Sequence, residues 1–278
     1  MGFAFSPNLK ANVFEAIRLS SFLNAHVYFL HVGSNSIDKE KTFHDILEDS
    51  PVKSKKLSVI WKKGEPVDTI REQCEKNNID LLLLGAMQRE NMLKFYMGSI
   101  ARKLTRNAPC SVLLLIKPSL IRKPTQHIVV NAFESPQTES TILSAFHFGK
   151  ALNVKKVTLV EEINRSEVAV EADDDHSLRK VTLRKEELNL RELTRVKEVL
   201  SHIPDSLLEG VKVHSQNIFG TRGYSIGHYA KVVRAELLIM NAAENRKGFL
   251  GRIFPQDLEY ILSELPTDVL IIKSKENE

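Results

Sequence analysis

The sequence predicts an α/β protein: two tandem open-sheet domains, each with about five mostly parallel strands and helices on both faces. Three observations predict this. First, Gly64 to Leu84 (GEPVDTIREQCEKNNIDLLLL) is echoed by Gly220 to Met240 (GTRGYSIGHYAKVVRAELLIM). Each has a Gly after an apolar run, a helix-like pattern, an acidic residue at matching distance (Asp80, Glu236) and a closing apolar run. A repeat at this range means two copies of one folding unit. Second, short apolar runs alternate with helix-period segments, as in βαβ units. Third, those runs show little polar alternation, as expected of strands buried on both faces.

Taken in order, residues 2–5 form a short strand, followed by the turn and helix-start signal Ser6-Pro7-Asn8. Val13, Ala16, Ile17, Ser20, Phe22 and Leu23 recur at helical spacing, and Asn24 stops that helix. Residues 27–32 (VYFLHV) read as a buried strand, and Ile37, Phe43, Ile46 and Leu47 mark a surface helix. Residues 57–61 are a strand, and 65–77 a helix with Pro66 in its first turn, where a missing N–H costs least. A strand at 81–84, a helix at 99–106 and a strand at 112–116 complete copy one. Domain 1 thus covers 1–117, and 118–126, rich in Pro and basic residues, is the linker.

Domain 2 covers 127–275. Ser135-Pro136 repeats Ser6-Pro7, and Leu152-Asn153 repeats Leu23-Asn24. Strands are expected at 127–132 and 157–160, with a helix at 142–152 between them. Copy two then runs longer than copy one by roughly 25–30 residues, placing an inserted segment at about 161–213. Within it Leu193, Val196, Leu200 and Ile203 form a narrow apolar stripe on a charged helix. That helix either packs on its own domain or meets a partner.

The bulk numbers set the class. With 42% hydrophobic and 27% charged residues, the chain has the balance of a soluble globular protein. No segment approaches the roughly 20 apolar residues of a membrane span. The start MGFAFSPNLK lacks the basic-then-apolar pattern of a secretory signal. Cys74 and Cys110 show neither a disulfide framework nor zinc spacing and suit a reducing compartment, so a cytoplasmic location is expected. The net charge of +4 comes from Lys and Arg interleaved with acids, which argues against a nucleic-acid footprint.

The chemistry concentrates in GAMQRENMLKFYMGSIARKL, which opens with Gly85 at a strand end and returns to Gly98-Ser99 at a helix start. A Gly at a strand end lets backbone approach an anion. A Gly-Ser at a helix start offers free N–H groups, a hydroxyl and the positive end of the helix dipole. Such a loop lies at the carboxyl ends of the strands, where open α/β sheets gather their ligands. Arg89 adds a charge, or is simply solvated. His31, at a strand end, reads as a core histidine, and Asp173-Asp174-Asp175-His176 as a solvated loop. No metal site and no catalytic set is identified.

The order of strand, G-x-x-G, nine residues, G-[S/T], helix, Pro-containing turn and last strand resembles the tandem universal stress protein family. Here it reads Gly85, Gln88, Gly98-Ser99, then Ala108-Pro109-Cys110-Ser111-Val112-Leu113. Ser6-Pro7-Asn8, His31-Val32 and Gly64-Glu65-Pro66 also sit where that family places comparable residues. The resemblance implies a Rossmann-like fold and a non-enzymatic stress-response binding or signalling role. It also implies an ATP or AMP site, with magnesium, in domain 1. Val32 would lie near the adenine, and Gly85, Gln88, Arg89, Gly98, Ser99 and Ile100 near the phosphates. Two departures stand out: Gln88 replaces the middle Gly, and Ala4 occupies the place of the Asp that holds the nucleoside.

In copy two, Asn241 stands at the first Gly, Glu244 at Gln88, and Phe254-Pro255 at Gly98-Ser99. Pro donates no N–H and a carboxylate repels phosphate, so no nucleotide is expected there. Phe249, Leu250, Ile253 and Phe254 read as packing residues. The resemblance further implies antiparallel pairing of last strands, 112–116 with 269–272, within one chain, and is compatible with a homo-oligomer. The alternative function is a nucleotide-independent scaffold, with both sites dead and an unidentified protein partner on the inserted helix. A slow nucleotide hydrolase is a third, weaker reading.

Overall fold

A computed structural model of the chain describes residues 1–54, 56–88, 95–168, 174–241 and 256–273. It divides into two compact units. Unit 1 takes Met1–Pro124 together with the segment from Thr267, and unit 2 takes Thr125–Pro266.

Unit 1 opens with β1 (Gly2–Phe3), α1 (Leu9–Phe22), β2 (Val27–Val32), α2 (Ile37–Glu48), β3 (Leu57–Lys62), α3 (Pro66–Lys76) and β4 (Leu81–Gly85). A short hairpin of β5 (Met87–Gln88) and β6 (Phe95–Tyr96) follows, then α4 (Ser99–Asn107) and β7 (Ser111–Leu115). Strands β1, β2 and β3 pair in parallel, as do β4 and β7. β1 lies beside β4, with Gly2 facing Leu84 and Ile70. This is the point where the order of connections reverses, and its carboxyl end is the crevice in which such sheets hold ligands. The core of the unit is the buried set Val13, Phe14, Ile17, Phe29, Phe43, Leu104 and Leu114.

Unit 2 repeats the plan with β8 (His127–Asn131), α5 (Thr138–Leu152), β9 (Lys156–Asn164), α6 (Asp175–Ser201), α7 (Asp205–Leu208), β10 (Lys212–Gly220), α8 (Tyr224–Val232), β11 (Leu237–Asn241) and α9 (Gln256–Glu264). Its strands lie in the order β10–β9–β8–β11, all parallel. The second strand is longer than the sequence indicates, running through Glu161 and Glu162 to Asn164. The inserted helix begins earlier, at Asp175, because Asp174 caps it: its carboxylate accepts from Ser177 N at 2.7 Å, and Ser177 Oγ lies against the Asp174 backbone. Asp174 and His176 therefore belong to a helix start.

The last strand, β12 (Asp268–Ile272), pairs antiparallel with β7 in unit 1, setting Val269 against Leu114 and Ile271 against Val112. The expected pairing of 112–116 with 269–272 is formed. It leaves four described strands in the sheet of unit 2, where the sequence suggested five. Asp268 Oδ1 accepts from Ile116 N at 2.7 Å, and Lys273 N donates to Ser111 Oγ at 3.1 Å, pinning the strand at both ends. Burial pushes the Asp268 carboxyl up to about 6 despite those backbone donors.

The internal repeat is also visible in backbone geometry. Asn24 (φ 48) and Asn153 (φ 59) both adopt left-handed geometry to close α1 and α5, each followed by an amide bonded back into the last turn (Ala25 N to Ser20 O, Val154 N to Gly149 O). Asn78 (φ 47) and Arg234 (φ 53) do the same after α3 and α8. Asn adopts this conformation readily and Arg at a cost. Replacing Arg234 with Asn, the residue copy one uses, is expected to stabilise the chain by about 0.5–1 kcal/mol in denaturant unfolding. No gain would show that the Arg234 side chain makes up the backbone cost. Among the described residues, no helix is long and apolar enough to cross a membrane.

Candidate functional site

The loop expected to cradle phosphate starts at Gly85, the last residue of β4, whose register partner is Leu115. Gln88 lies in β5 opposite Phe95, so the chain turns back on itself as a hairpin before reaching α4, which the sequence did not reveal. Arg89 lies outside the described residues. Gly98 is the N-cap of α4 in extended conformation (φ −62, ψ 157) and supplies no capping side chain. Among the described residues, no side chain caps the first N–H groups of α4, and Ser99 and Ile100 beside them are exposed. Val32 ends β2, half-buried.

Gly85 is held to glycine by a close neighbour. A Cβ there would stand 2.6 Å from Asn12 Nδ2 and 3.0 Å from Asn12 Oδ1. Asn12, on α1, is only 6% exposed, and its buried Oδ1 has no hydrogen-bond partner among the described residues. A buried amide oxygen left so costs about 1–3 kcal/mol. The approach to Gly85 thus already holds a polar side chain. A polar residue beside Val13, in a stretch with apolar periodicity, was the available sequence signal.

His31 is buried in a ring cluster with Phe3, Phe29, Phe43 and Trp61, with Nδ1 3.2 Å from Phe3 O. Phe5 stacks on Trp61 at the rim. This is a packed core under α2, as expected of His31 from the sequence.

In unit 2 the matching places carry charge. The register that sets Phe3 beside His31 sets Ala132 beside Glu161, one step beyond the pair Asn131–Val160. Glu162 therefore stands where Val32 stands in unit 1. It is 2% exposed, and its two oxygens accept from Gly223 N at 2.9 Å and Ile226 N at 2.7 Å, so a carboxylate of the chain itself caps α8. Glu161 meets Arg195 of α6 at 2.6 Å, and Arg195 also donates to Ala132 O and to Glu192 Oε2. Arg191 adds a second cation on Glu192 at 2.6 Å. Burial pushes Glu161 up to about 8 against the pull of Arg195. For Glu192 burial acts the same way, but the hydrogen bonds from Arg195 and Arg191 outweigh it and hold the carboxyl below its usual range. Where unit 1 packs aromatic rings beneath α2, unit 2 packs an ion network beneath α6. The copy-two counterpart of the phosphate loop, including Glu244 and Phe254-Pro255, lies outside the described residues, as do Phe249, Leu250 and Ile253.

Residues 39–115, from α2 to the end of β7, match the family model described as the universal stress protein family. The likeness to that family lies in these residues of unit 1. Over 123 residues the chain is 27% identical to a universal stress protein of Methanocaldococcus jannaschii, spanning 37% of this chain and 72% of that relative. A universal stress protein structure from Archaeoglobus fulgidus covers 98% of this chain and 96% of its own, at 16% identity and a TM-score of 0.65. A Pseudomonas aeruginosa protein of unknown function covers 93% and 86%, at 15% identity and a TM-score of 0.66. At these identities the structural likeness is one of fold.

The fit of a nucleotide to unit 1 differs along the crevice. The uncapped start of α4 and Gly98 suit a phosphate. Val32 offers an apolar edge to a base. Ala4 offers no acceptor for a ribose, and the Asn12 amide stands at Gly85.

Proposed function

We propose that the chain is a non-enzymatic stress-response binding module of the cytoplasm with one adenine-nucleotide site, in unit 1. The observation that carries this reading is the start of α4, where Gly98 leaves the leading N–H groups without a capping side chain and Ser99 is exposed beside them. An anion at such a helix end gains about 0.3–1 kcal/mol from the dipole, plus its hydrogen bonds. On this reading Gly98, Ser99 and Ile100 receive the phosphates of ATP or AMP, and Val32 lies against the adenine. Magnesium arrives with the nucleotide, since the described loop residues include no carboxylate. Unit 2 takes no nucleotide on this reading, because Glu162 occupies the Val32 position and already caps α8.

A second reading, a nucleotide-independent interaction scaffold, is favoured by one observation: Asn12 fills the space over Gly85. Calorimetric titration of ATP and AMP, with magnesium, into the parent chain, Gly98→Glu and Asn12→Ala separates the two. The expected result is micromolar binding by the parent and none by Gly98→Glu, whose carboxylate stands at the helix start. Binding by Asn12→Ala alone would mean that Asn12 keeps the crevice shut. Binding by none of the three would leave the scaffold.

A further inference from the structure

We propose that the outward face of α6 is a self-complementary antiparallel seam that joins two copies of this chain. One face of α6 belongs to unit 2: Leu188, Glu192 and Val196 are buried, with Leu188 packed against Ile163 and Val168. The opposite face carries Leu183, Leu190 and Leu193, which are 56%, 68% and 38% exposed. A single exposed leucine is ordinary, but three on one side of one helix make a coherent apolar stripe.

The spacing says what covers it. Leu183, Glu186, Leu190, Leu193, Lys197 and Leu200 follow alternating steps of three and four, the a and d positions of a two-helix coiled coil. In an antiparallel pair, a positions of one helix meet d positions of the other. If Leu190 is set against Leu193 of a second copy, Leu183 falls against Leu200 and Glu186 against Lys197. By the two-fold symmetry every pairing occurs twice, so the seam reads Leu–Leu, Glu–Lys, Leu–Leu, then the same layers reversed. A parallel pair would put Glu186 on Glu186 and Lys197 on Lys197, so charge chooses the antiparallel arrangement.

Glu186 and Lys197 are exposed, and among the described residues neither has an ion pair within its own chain. Their neighbour Glu187 is by contrast held by Arg184 at 2.8 Å. The two charges are thus available to each other across the symmetry axis. The occupant this face fits is a second copy of α6, whose charge order is its own complement. A seam of under three heptads is short for a stable interface, so the dimer expected is a weak, concentration-dependent one.

Sedimentation velocity of the full chain over a concentration series tests this, with far-UV dichroism melting as the fold control. All the side chains altered are solvent-exposed, so the variants should melt with the parent. The parent should shift from monomer to dimer across the micromolar range, and Leu190→Glu should stay monomeric at every concentration. Glu186→Lys or Lys197→Glu alone should weaken association at least tenfold, and the double exchange should restore it. Three outcomes would overturn the seam: a parent monomeric up to millimolar concentration, a dimer indifferent to Leu190→Glu, or a double exchange no tighter than the single ones.

Discussion

Replacing Arg195 with Ala is expected to cost unit 2 about 3–5 kcal/mol, a large part of a domain's stability. The side chains of Glu161 and Glu192 are 5% and 2% exposed, and that of Arg195 is 17% exposed. Removing the guanidinium strips Glu192 of one of its two cations, leaves Glu161 buried without its partner, and leaves Ala132 O without its donor. The cost arises from what is left behind more than from what the ion pairs contribute. The triple replacement Glu161→Leu, Glu192→Leu, Arg195→Met should therefore lie near the parent. Hydrogen exchange of peptides from β9 and α6 along a urea series would measure both, and a loss under about 1 kcal/mol for Arg195→Ala would refute the account. The network also carries a pH signature. The folded-state pKa of Glu161, about 8, lies above its ordinary 4.5. Its contribution is then fully present below the unfolded value and is lost as pH rises through about 8. Unit 2 should become less stable from pH 5 to pH 8, and Glu161→Gln should flatten that slope. Glu192, held low, acts in the other direction and only as pH falls below the ordinary carboxylate range.

A chain ending at Pro266 should fail to keep unit 1 folded. β12 contributes Val269, Leu270 and Ile271, which are 0–2% exposed. At about 1.5–3 kcal/mol for each side chain, their loss approaches the whole stability of a typical domain. The truncation also bares the edge of β7, an apolar run with its hydrogen-bonding groups unpaired, which invites aggregation. The expected result is insoluble protein, or soluble protein whose β4 and β7 amides exchange within seconds. Protection of those amides equal to that in the full chain would show β12 to be dispensable to unit 1.

Local signals were legible in the sequence. Asn24 and Asn153 stop their helices in the same left-handed geometry, and the antiparallel pairing of the last strands follows from the family resemblance. Features whose partners lie far along the chain were not legible. The sequence reading ends the strand at 160 and leaves Glu161 and Glu162 to the inserted segment, because two acids there have no local reason to be buried. Their partners, Arg195 and the amides of Gly223 and Ile226, come from other elements. The stripe Leu193, Val196, Leu200 and Ile203 read as one face, yet Val196 and Ile203 are buried while Leu193 is exposed. Helical periodicity finds apolar positions but cannot assign them when a helix has two apolar faces. At the candidate site, Gly85 and Gly98 were identified from the chemistry a phosphate needs. Asn12 was missed because a polar residue in an apolar helical stretch shows that something polar is near, and not which strand end it covers.

The pairing of β12 with β7 also sets a timetable. A ribosome releases residues in order, and domains generally fold as they emerge, the first before the second. Here the strand that finishes unit 1 is encoded after every residue of unit 2. The earlier-made half must wait, with the edge of β7 open, for the interval in which roughly 140 residues are added, on the order of 10 seconds at ordinary elongation rates. A newborn chain of this design has a defined period of vulnerability, and its N-terminal unit is the last to be completed.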